Sequence, residues 1–237
     1  MESELTFLEH LEELRGRIIV SLVWLLVATL ASLPFSSELL KILKSPAAGT
    51  IEKLAFFSPQ EAFLIYMRVG FLSGLCLAFP VISYQFWAFV SPAIDERFKK
   101  GISYFVVSCS ATFIIGCLFA YFILLPRALR FLLSFGTDDL EPVISAARYI
   151  SFVTSIILCC GVVFQMPVLS YLLTRTGLVN AGILRKRFGV AIVVISVIAA
   201  VITPTTDIFN MMLLAVPMVF LYEVSIWVSA LAGRGRG

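Results

Sequence analysis

Residues 102–125 read ISYFVVSCSATFIIGCLFAYFILL, a stretch of 24 residues, counted from 102 to 125, without one charged side chain. About 20 helical residues cross the hydrocarbon core of a bilayer, which is about 30 Å thick. Backbone groups in lipid must be hydrogen-bonded within the segment itself, and this stretch does not alternate as a membrane β-strand does. It therefore predicts a transmembrane helix.

Five further apolar runs, bounded by charges or by Pro and Gly, surround this one. They are 18–33, 62–90, 149–173, 188–202 and 208–231. The whole chain is 60% apolar and 14% charged, with a mean hydropathy of +1.00. Soluble chains carry about 25% charged residues, so soluble enzyme folds are nearly excluded. We predict one all-α integral membrane domain, residues 1–237, with six transmembrane helices.

The runs differ in length and contain helix-kinking prolines. Run 62–90, about 28 residues, would reach roughly 42 Å and must tilt or project beyond the core. Run 188–202 reaches only roughly 22 Å, and the turn 203–207 leaves no room for an outer domain, so the fifth and sixth helices are predicted to be short. Prolines in the spans favour a kinked, cup-shaped arrangement over a straight bundle. They are Pro80, Pro126, Pro167 and Pro217.

The Lys and Arg residues indicate the orientation of these helices. With both termini inside, the inner segments carry eleven of them and the outer loops six, so the positive-inside rule predicts cytoplasmic N- and C-termini. Residues 1–17 form a predicted interfacial amphipathic segment, because 6–9 (TFLE) fits a capping box and Leu5, Leu8, Leu11 and Leu14 recur at helical spacing.

Several kinds of chemistry are excluded by the residue inventory. The net charge is +3 and the basic residues are dispersed, which argues against nucleic acid as a partner. The chain has one histidine, His10, and neither a metal-ligand cluster nor a phosphate-binding loop in its sequence. A serine hydrolase would lack an intramembrane base. We therefore predict no metal, no cofactor and no enzymatic activity, and the five cysteines, all in apolar runs, predict no disulfide framework.

Three polar side chains fall at membrane depth, where an ionisable group costs at least about 2.5 kcal/mol to insert. Arg68 is either a snorkelling arginine or the polar lining of a groove. Gln165 should seek a hydrogen bond to another helix, either as structural glue or as part of a contact with a partner. Glu223 either pairs with an inner-loop cation or faces a hydrated cavity.

Nine short segments, spread nearly from end to end of the chain, form a distinctive set. They are 10–15 (HLEELR), 58–63 (SPQEAF), 80–89 (PVISYQFWAF) with Pro92, 119–122 (FAYF) with Pro126, 149–152 (YISF), 164–167 (FQMP), 203–204 (TP) with Asp207, 215–217 (AVP) and 221–223 (LYE). In these segments the chain resembles TatC, the large polytopic subunit of the twin-arginine protein translocase, and their number and common order make the resemblance specific.

The resemblance implies a cup-shaped six-helix receptor that captures signal peptides bearing consecutive arginines. It implies transport of folded cargo proteins together with single-span TatA- and TatB-type partners, in an oligomeric complex that uses the proton-motive force and no nucleotide. The implied location is the lipid bilayer of a bacterial inner membrane rather than a thylakoid.

The resemblance also implies site residues. Glu13 stands where the family has its arginine-binding glutamate, although Glu13 and Arg17 also fit a simple i, i+4 pair on a solvated helix face. Phe89 would supply an apolar wall. The family places a second glutamate six residues after its proline, and that position is Phe98 here, so Glu96 is expected to substitute for it.

The resemblance also bears on three further residues. Gln165 stands where the family usually has glutamate, which argues against a proton relay at this point. Ala200 and Val201 match the face of the fifth helix on which the family docks a partner helix. A proton-coupled small-solute transporter is the alternative function and an inert membrane scaffold a third, but the sequence has no internal repeat and no midplane carboxylate of the kind such transporters use.

Overall fold

The computed structural model describes residues 7–47, 54–90, 102–134, 144–202 and 208–234. Helical segments long and apolar enough to cross a membrane are Glu9–Lys44, Pro59–Val90, Ile102–Leu132, Ala146–Arg175 and Met211–Gly233, and Phe188–Val201 is a shorter apolar helix. The all-α membrane fold is therefore confirmed. That all six apolar runs cross the bilayer, with both termini in the cytoplasm, stays a prediction.

The first span begins earlier than its apolar run. Helix α1 (Phe7–Ser32) continues through Arg17 without a break, so residues 7–17 of the predicted interfacial segment belong to the same helix as the first apolar run. Residues 1–6 lie outside the described residues, and an interfacial location stays a prediction. No proline interrupts this region, and Gly16 in a helix interior costs only about 1 kcal/mol. A 3-10 turn, Leu33–Phe35, then leads into the short amphipathic helix α2 (Ser36–Lys44) and a second 3-10 turn, Ser45–Ala47.

The middle of the chain holds the longest of the described helices, with 32 residues. After the short strand β1 (Leu54–Ala55) comes α3 (Pro59–Val90), which continues through Pro80. Helix α4 (Ile102–Phe119) passes through a π-helical turn, Ala120–Leu124, into α5 (Leu125–Leu133). The irregular turn precedes Pro126, which has no N–H to donate to the carbonyl four residues earlier.

The fourth span is divided in two. Strand β2 (Ile144–Ser145) precedes α6 (Ala146–Val163), and after an interruption at residues 164–165 the chain resumes as α7 (Met166–Arg175). Pro167 lies in the first turn of α7, where its missing N–H has no helical partner to lose. The prediction of a distorted helix at this proline agrees with the structure.

The last elements are α8 (Ala181–Lys186), α9 (Phe188–Ile202) and α10 (Ile208–Arg234). Helix α9, with 15 residues, is short as predicted. The expectation of a short sixth helix was wrong, since α10 has 27 residues and reaches about 40 Å. It is long because Pro217 does not end it and because it continues past Leu231. The turn 203–207 lies outside the described residues.

The helices pack around α3 and α6, and α7 runs parallel to α10, since Ser170 bonds to Ser225 and Thr174 to Ser229. Helix α1 packs on α3, α4 packs on both α3 and α6, and α10 packs on α7 and α9. We call one end of this assembly the Glu13 end; it contains the start of α1, the end of α3, the start of α4 and the ends of α7 and α10. At the opposite end, β1 and β2 pair in parallel, with Leu54 beside Ile144 and Ala55 beside Ser145.

Close helix contacts depend on glycine. A Cβ on Gly74 of α3 would lie 2.5 Å from the Cα of Thr29 in α1. A Cβ on Gly116 of α4 would lie 2.6 Å from the carbonyl oxygen of Cys160 in α6. Two helix backbones therefore touch at each of these points, as small residues allow in membrane helices.

Helix α2 is held against the core by two tyrosines. The Tyr121 hydroxyl donates to the carbonyl of Ile42 at 2.8 Å, and the Tyr149 hydroxyl donates to the carbonyl of Leu43 at 3.0 Å. These carbonyls belong to the last turn of α2, where the Ile42 carbonyl also accepts the Ser45 N–H. The segment between the first two spans is therefore anchored on the third and fourth.

Candidate functional site

An acidic and a basic side chain pair near the start of α1. Glu13 and Arg17 are four residues apart, so they lie on one face of the helix. Arg17 donates from Nε to Glu13 Oε1 at 2.9 Å, and its Nη2 contacts the same oxygen. The other carboxylate oxygen, Oε2, lies 3.8 Å from Nδ1 of His10. Arg17 thus binds one oxygen of the carboxylate and leaves the second directed toward His10.

Helix α3 supplies the other half of this site. Arg17 Nη1 donates to Oε1 of Gln85 at 3.4 Å. The Phe89 ring stacks on the His10 ring with 4.5 Å between centroids and 20° between planes. The structure therefore brings Glu13, Arg17 and Phe89 together. Gln85 and His10, which the sequence did not single out as site residues, complete the arrangement; Gln85 lies one helical turn before Phe89, and that spacing is the signal that could have found it.

A groove of about 310 Å³ opens beside the pair, between α1 and α3. Its lining is apolar except for Arg17, Ser21 and Gln85. The lining residues are Leu14, Arg17, Ile18, Ser21, Leu22, Leu25, Ile82, Gln85, Phe86 and Phe89. The side chains of Glu13 and Arg17 are each 27% exposed, which places the ion pair between solvent and this groove. Such a site can accept a cationic group from a ligand that also buries apolar side chains.

The expected second acceptor, Glu96, lies outside the described residues. Arg68 is exposed on α3, nine residues or about 14 Å from the start of the helix at Pro59. Its long side chain can extend along the helix surface toward the interface. The structure does not bring Arg68 near the Glu13 pair, which lies at the opposite end of α3.

Gln165 lies at the interruption between α6 and α7 and is 8% exposed. Its Nε2 donates to the carbonyl of Cys109 in α4 at 3.1 Å, and the Thr112 hydroxyl donates to its Oε1 at 3.4 Å. The amide therefore connects the broken span to α4. It uses both its donor and its acceptor group.

Glu223 of α10 forms an ion pair. Its Oε1 accepts from Nη2 of Arg185 at 3.1 Å, and the neighbouring Tyr222 hydroxyl donates to the carbonyl of Leu184 at 2.9 Å. Of the two interpretations open for Glu223, the structure shows the pair with a cation of the segment before α9. These contacts tie α8 to α10.

A second, larger groove of about 910 Å³ runs beside α9, between α6, α7 and α10. Arg187 lies at one end of it and Val201, 80% exposed, at the other. The two residues are 14 positions apart, about 21 Å along the helix. Ala200 is also exposed. This groove is lined mainly by aliphatic side chains and has the length of a membrane-embedded helix segment.

The fold and the site define a polytopic helical membrane protein with an acid–arginine pair beside an apolar groove at one end. Residues 9–217 match the family model described as Sec-independent protein translocase protein (TatC). The chain therefore belongs to the TatC family.

Individual relatives agree with this assignment. The Sec-independent protein translocase protein TatC of Carboxydothermus hydrogenoformans is 33% identical over 96% of this chain and 94% of the relative. The TatC of Helicobacter pylori strain 26695 is 37% identical over 93% of this chain and 85% of the relative. A crystal structure of the twin arginine translocase receptor TatC superimposes with a TM-score of 0.86 at 36% identity, covering 94% of this chain and 99% of that one.

These findings establish the general function. The chain is a multi-pass membrane subunit of the Sec-independent, or twin-arginine, protein translocase, and the predicted bacterial membrane location agrees with both relatives. The alternative of a small-solute transporter has no support among these comparisons.

Proposed function

We propose that the site at the Glu13 end is where this subunit recognises twin-arginine signal peptides. Glu13 binds one guanidinium group of the arginine pair, Glu96 binds the other, and Phe89 forms an apolar wall. The observation that supports this most strongly is the geometry of the Glu13 carboxylate: Arg17 binds only its Oε1, and Arg17 in turn lines the apolar groove.

The geometry of the guanidinium group is the reason for the proposed preference for arginine over lysine. A guanidinium group offers two parallel N–H donors, whereas an ammonium group is a compact point charge with strong hydration. Arg17 acts as a positioning residue, because its bonds to Oε1 hold the carboxylate in one rotamer and its bond to Gln85 holds that rotamer beside α3. Apolar residues of the peptide then pack in the groove between α1 and α3.

The large groove beside α9 is the proposed docking surface for the single-span TatA- and TatB-type partners. Its aliphatic lining suits a transmembrane helix, of which it would cover about 21 Å, and Val201, next to the exposed Ala200, lies at the end away from Arg187. Helix association in lipid relies on this kind of shape-matched packing. The subunit acts without catalysis of its own, in an oligomeric complex driven by the proton-motive force.

Photocrosslinking tests the peptide site. A photoreactive phenylalanine analogue at position 89 is irradiated in membranes with a signal peptide that carries Arg-Arg or Lys-Lys. The change Glu13→Gln removes the charge but keeps the shape, and it should lower the affinity for the Arg-Arg peptide at least about ten-fold, because a charge-assisted hydrogen bond contributes about 1.5–3 kcal/mol.

The matched control is Glu12→Gln, which removes a charge from the neighbouring, exposed position on α1. It should leave the crosslinking yield close to that of the unchanged protein. Equal yields for the Arg-Arg and Lys-Lys peptides, or full crosslinking to Glu13→Gln, would show that the carboxylate is not the arginine acceptor and would favour the inert scaffold.

A further inference from the structure

A cleft of about 510 Å³ opens sideways between α4 and α7 near the Glu13 end. Its lining is largely aromatic and aliphatic; among its described residues the side-chain polar groups are those of Trp87, Tyr104, Ser108 and Tyr171. The lining residues are Trp87, Tyr104, Phe105, Ser108, Pro167, Val168, Tyr171 and Val228. This cleft is separate from the groove beside Glu13 and from the groove beside α9.

The cleft lies next to the interrupted fourth span. Helix α6 touches α4 closely, with Gly116 against the carbonyl of Cys160. After the interruption, α7 packs mainly against α10: the Ser170 hydroxyl donates to the carbonyl of Ser225 at 2.9 Å. Below the break, Leu172 and Val168 of α7 still pack with Phe105 and Cys109 of α4, but the two helices are in less extensive contact than α4 and α6. The cleft lies beside this smaller contact.

The depth of the cleft corresponds to the membrane interface. Trp87 is three residues from the end of α3, Tyr104 two residues from the start of α4, and Tyr171 four residues from the end of α7. At 1.5 Å per residue these rings lie within about 6 Å of their helix ends. Trp and Tyr are enriched at this level, where apolar rings meet lipid headgroups. The cleft thus extends from the headgroup level toward the acyl chains.

An arginine is held at the mouth of the cleft. Nε of Arg175 donates to the Tyr171 hydroxyl at 3.3 Å, and its Cζ lies 5.3 Å from the centre of the Tyr171 ring. Arg175 thus places a guanidinium group against the ring and hydroxyl of Tyr171, which lines the cleft. A guanidinium group binds phosphate oxygens with two parallel hydrogen bonds.

We propose that this cleft binds one anionic glycerophospholipid, with its phosphate on Arg175 and part of an acyl chain against Trp87 and Val168. A peptide segment is a poorer occupant, because its backbone N–H and C=O groups would find few partners among aromatic and aliphatic side chains. Basic clefts between transmembrane helices on the cytoplasmic side suit acidic lipid headgroups. The lipid fills this cleft and so supports the packing of α7 beside α4.

Tryptophan quenching tests the proposal directly. The chain has three tryptophans, and Trp24 and Trp227 are exposed to the bilayer, so Trp24→Phe and Trp227→Phe leave Trp87 as the single reporter. The full-length variant is placed in phosphatidylcholine nanodiscs containing a small fraction of lipid brominated on its acyl chains. Brominated phosphatidylglycerol should quench Trp87 at a mole fraction at least about ten-fold lower than brominated phosphatidylcholine does.

Charge variants identify the phosphate contact. Arg175→Gln should abolish the preference for phosphatidylglycerol, whereas Lys186→Gln, which removes one exposed positive charge at the same end, should retain it. Equal quenching by the two brominated lipids in the unchanged background, or an unaltered preference in Arg175→Gln, would overturn the proposal.

A second measurement does not depend on the tryptophan substitutions. Native mass spectrometry of the purified chain should show one retained phosphatidylglycerol with Arg175 intact, loss of that lipid in Arg175→Gln, and its retention in Lys186→Gln. The proposal of an acidic lipid site is contradicted if Arg175→Gln retains phosphatidylglycerol. It is also contradicted if the unchanged protein retains phosphatidylcholine as well as it retains phosphatidylglycerol. These results are independent of signal-peptide crosslinking, which the arginine at this cleft should not affect.

Discussion

Replacing Gly74 by alanine should separate α1 from α3 and disturb the site at the Glu13 end. The added Cβ would lie 2.5 Å from Cα and 2.6 Å from N of Thr29, and both are backbone atoms that cannot turn away. An ordinary contact of this kind is 3.4 to 4 Å, so one helix must move by about 1 Å. The contact between α1 and α3 also includes the hydrogen bond from the Ser32 hydroxyl to the Gly70 carbonyl at 2.7 Å, and this movement would lengthen it.

The expected cost of Gly74→Ala is about 1–3 kcal/mol, as for other insertions into a tightly packed interface. For a chain of this size that corresponds to a fall of about 2–12 °C in Tm. Thermal unfolding in detergent, followed by circular dichroism, measures the loss. Crosslinking of the Arg-Arg peptide at position 89 measures the functional consequence, since Glu13 and Phe89 belong to the two helices that are pushed apart.

Gly16→Ala on α1 is the matched control. A Cβ at Gly16 meets nothing within 4 Å, and alanine is favoured over glycine in a helix by about 1 kcal/mol, so this change should leave Tm unchanged or raise it. If Gly74→Ala unfolds at the same temperature as the unchanged protein, the two helix backbones do not touch as described. The contact would then not be what aligns the two halves of the site.

Two further predictions concern hydrogen bonds between helices. Gln165→Leu should lower the free energy of unfolding by about 0.6–2 kcal/mol, because it leaves the α4 carbonyl that now accepts from Nε2 at 3.1 Å without this donor; an unchanged Tm would contradict the bond. Tyr149→Phe removes the hydroxyl that donates to the Leu43 carbonyl and should cost about 1 kcal/mol. It should also speed hydrogen exchange in α2, and the same rate as in the control Tyr66→Phe would show that the tyrosine does not anchor this helix.

The helical spans could be predicted because lipid imposes one rule on every segment that crosses it. Any run of about 20 apolar residues without charges must form its hydrogen bonds internally, whatever its neighbours are. The interruption near Pro167 also follows from local chemistry, since proline lacks an N–H. The sixth helix was predicted to be short together with the fifth, although its apolar run, 208–231, already passes through Pro217; the structure shows α10 as Ile208–Arg234, with 27 residues.

Only part of the candidate site could be predicted from the sequence. Glu13 and Arg17 are one helical turn apart, so their pairing could be expected from spacing. Gln85 is 68 positions from Arg17, and no local pattern connects the two. Whether Glu96 joins them stays a prediction.

The amino-acid sequence by itself therefore determined that this is an all-helical membrane protein, where its apolar runs lie and which residues share a face of α1. Only the tertiary structure decided that α3 lies close enough to α1 to place Gln85 and Phe89 beside this pair, and that a cleft lies beside the smaller contact of α7 with α4. The physical reason is the distance along the chain over which each kind of interaction acts. Hydrophobicity and helix geometry act along a few neighbouring residues, whereas these two arrangements depend on where distant helix backbones touch, as at Gly74 and Gly116.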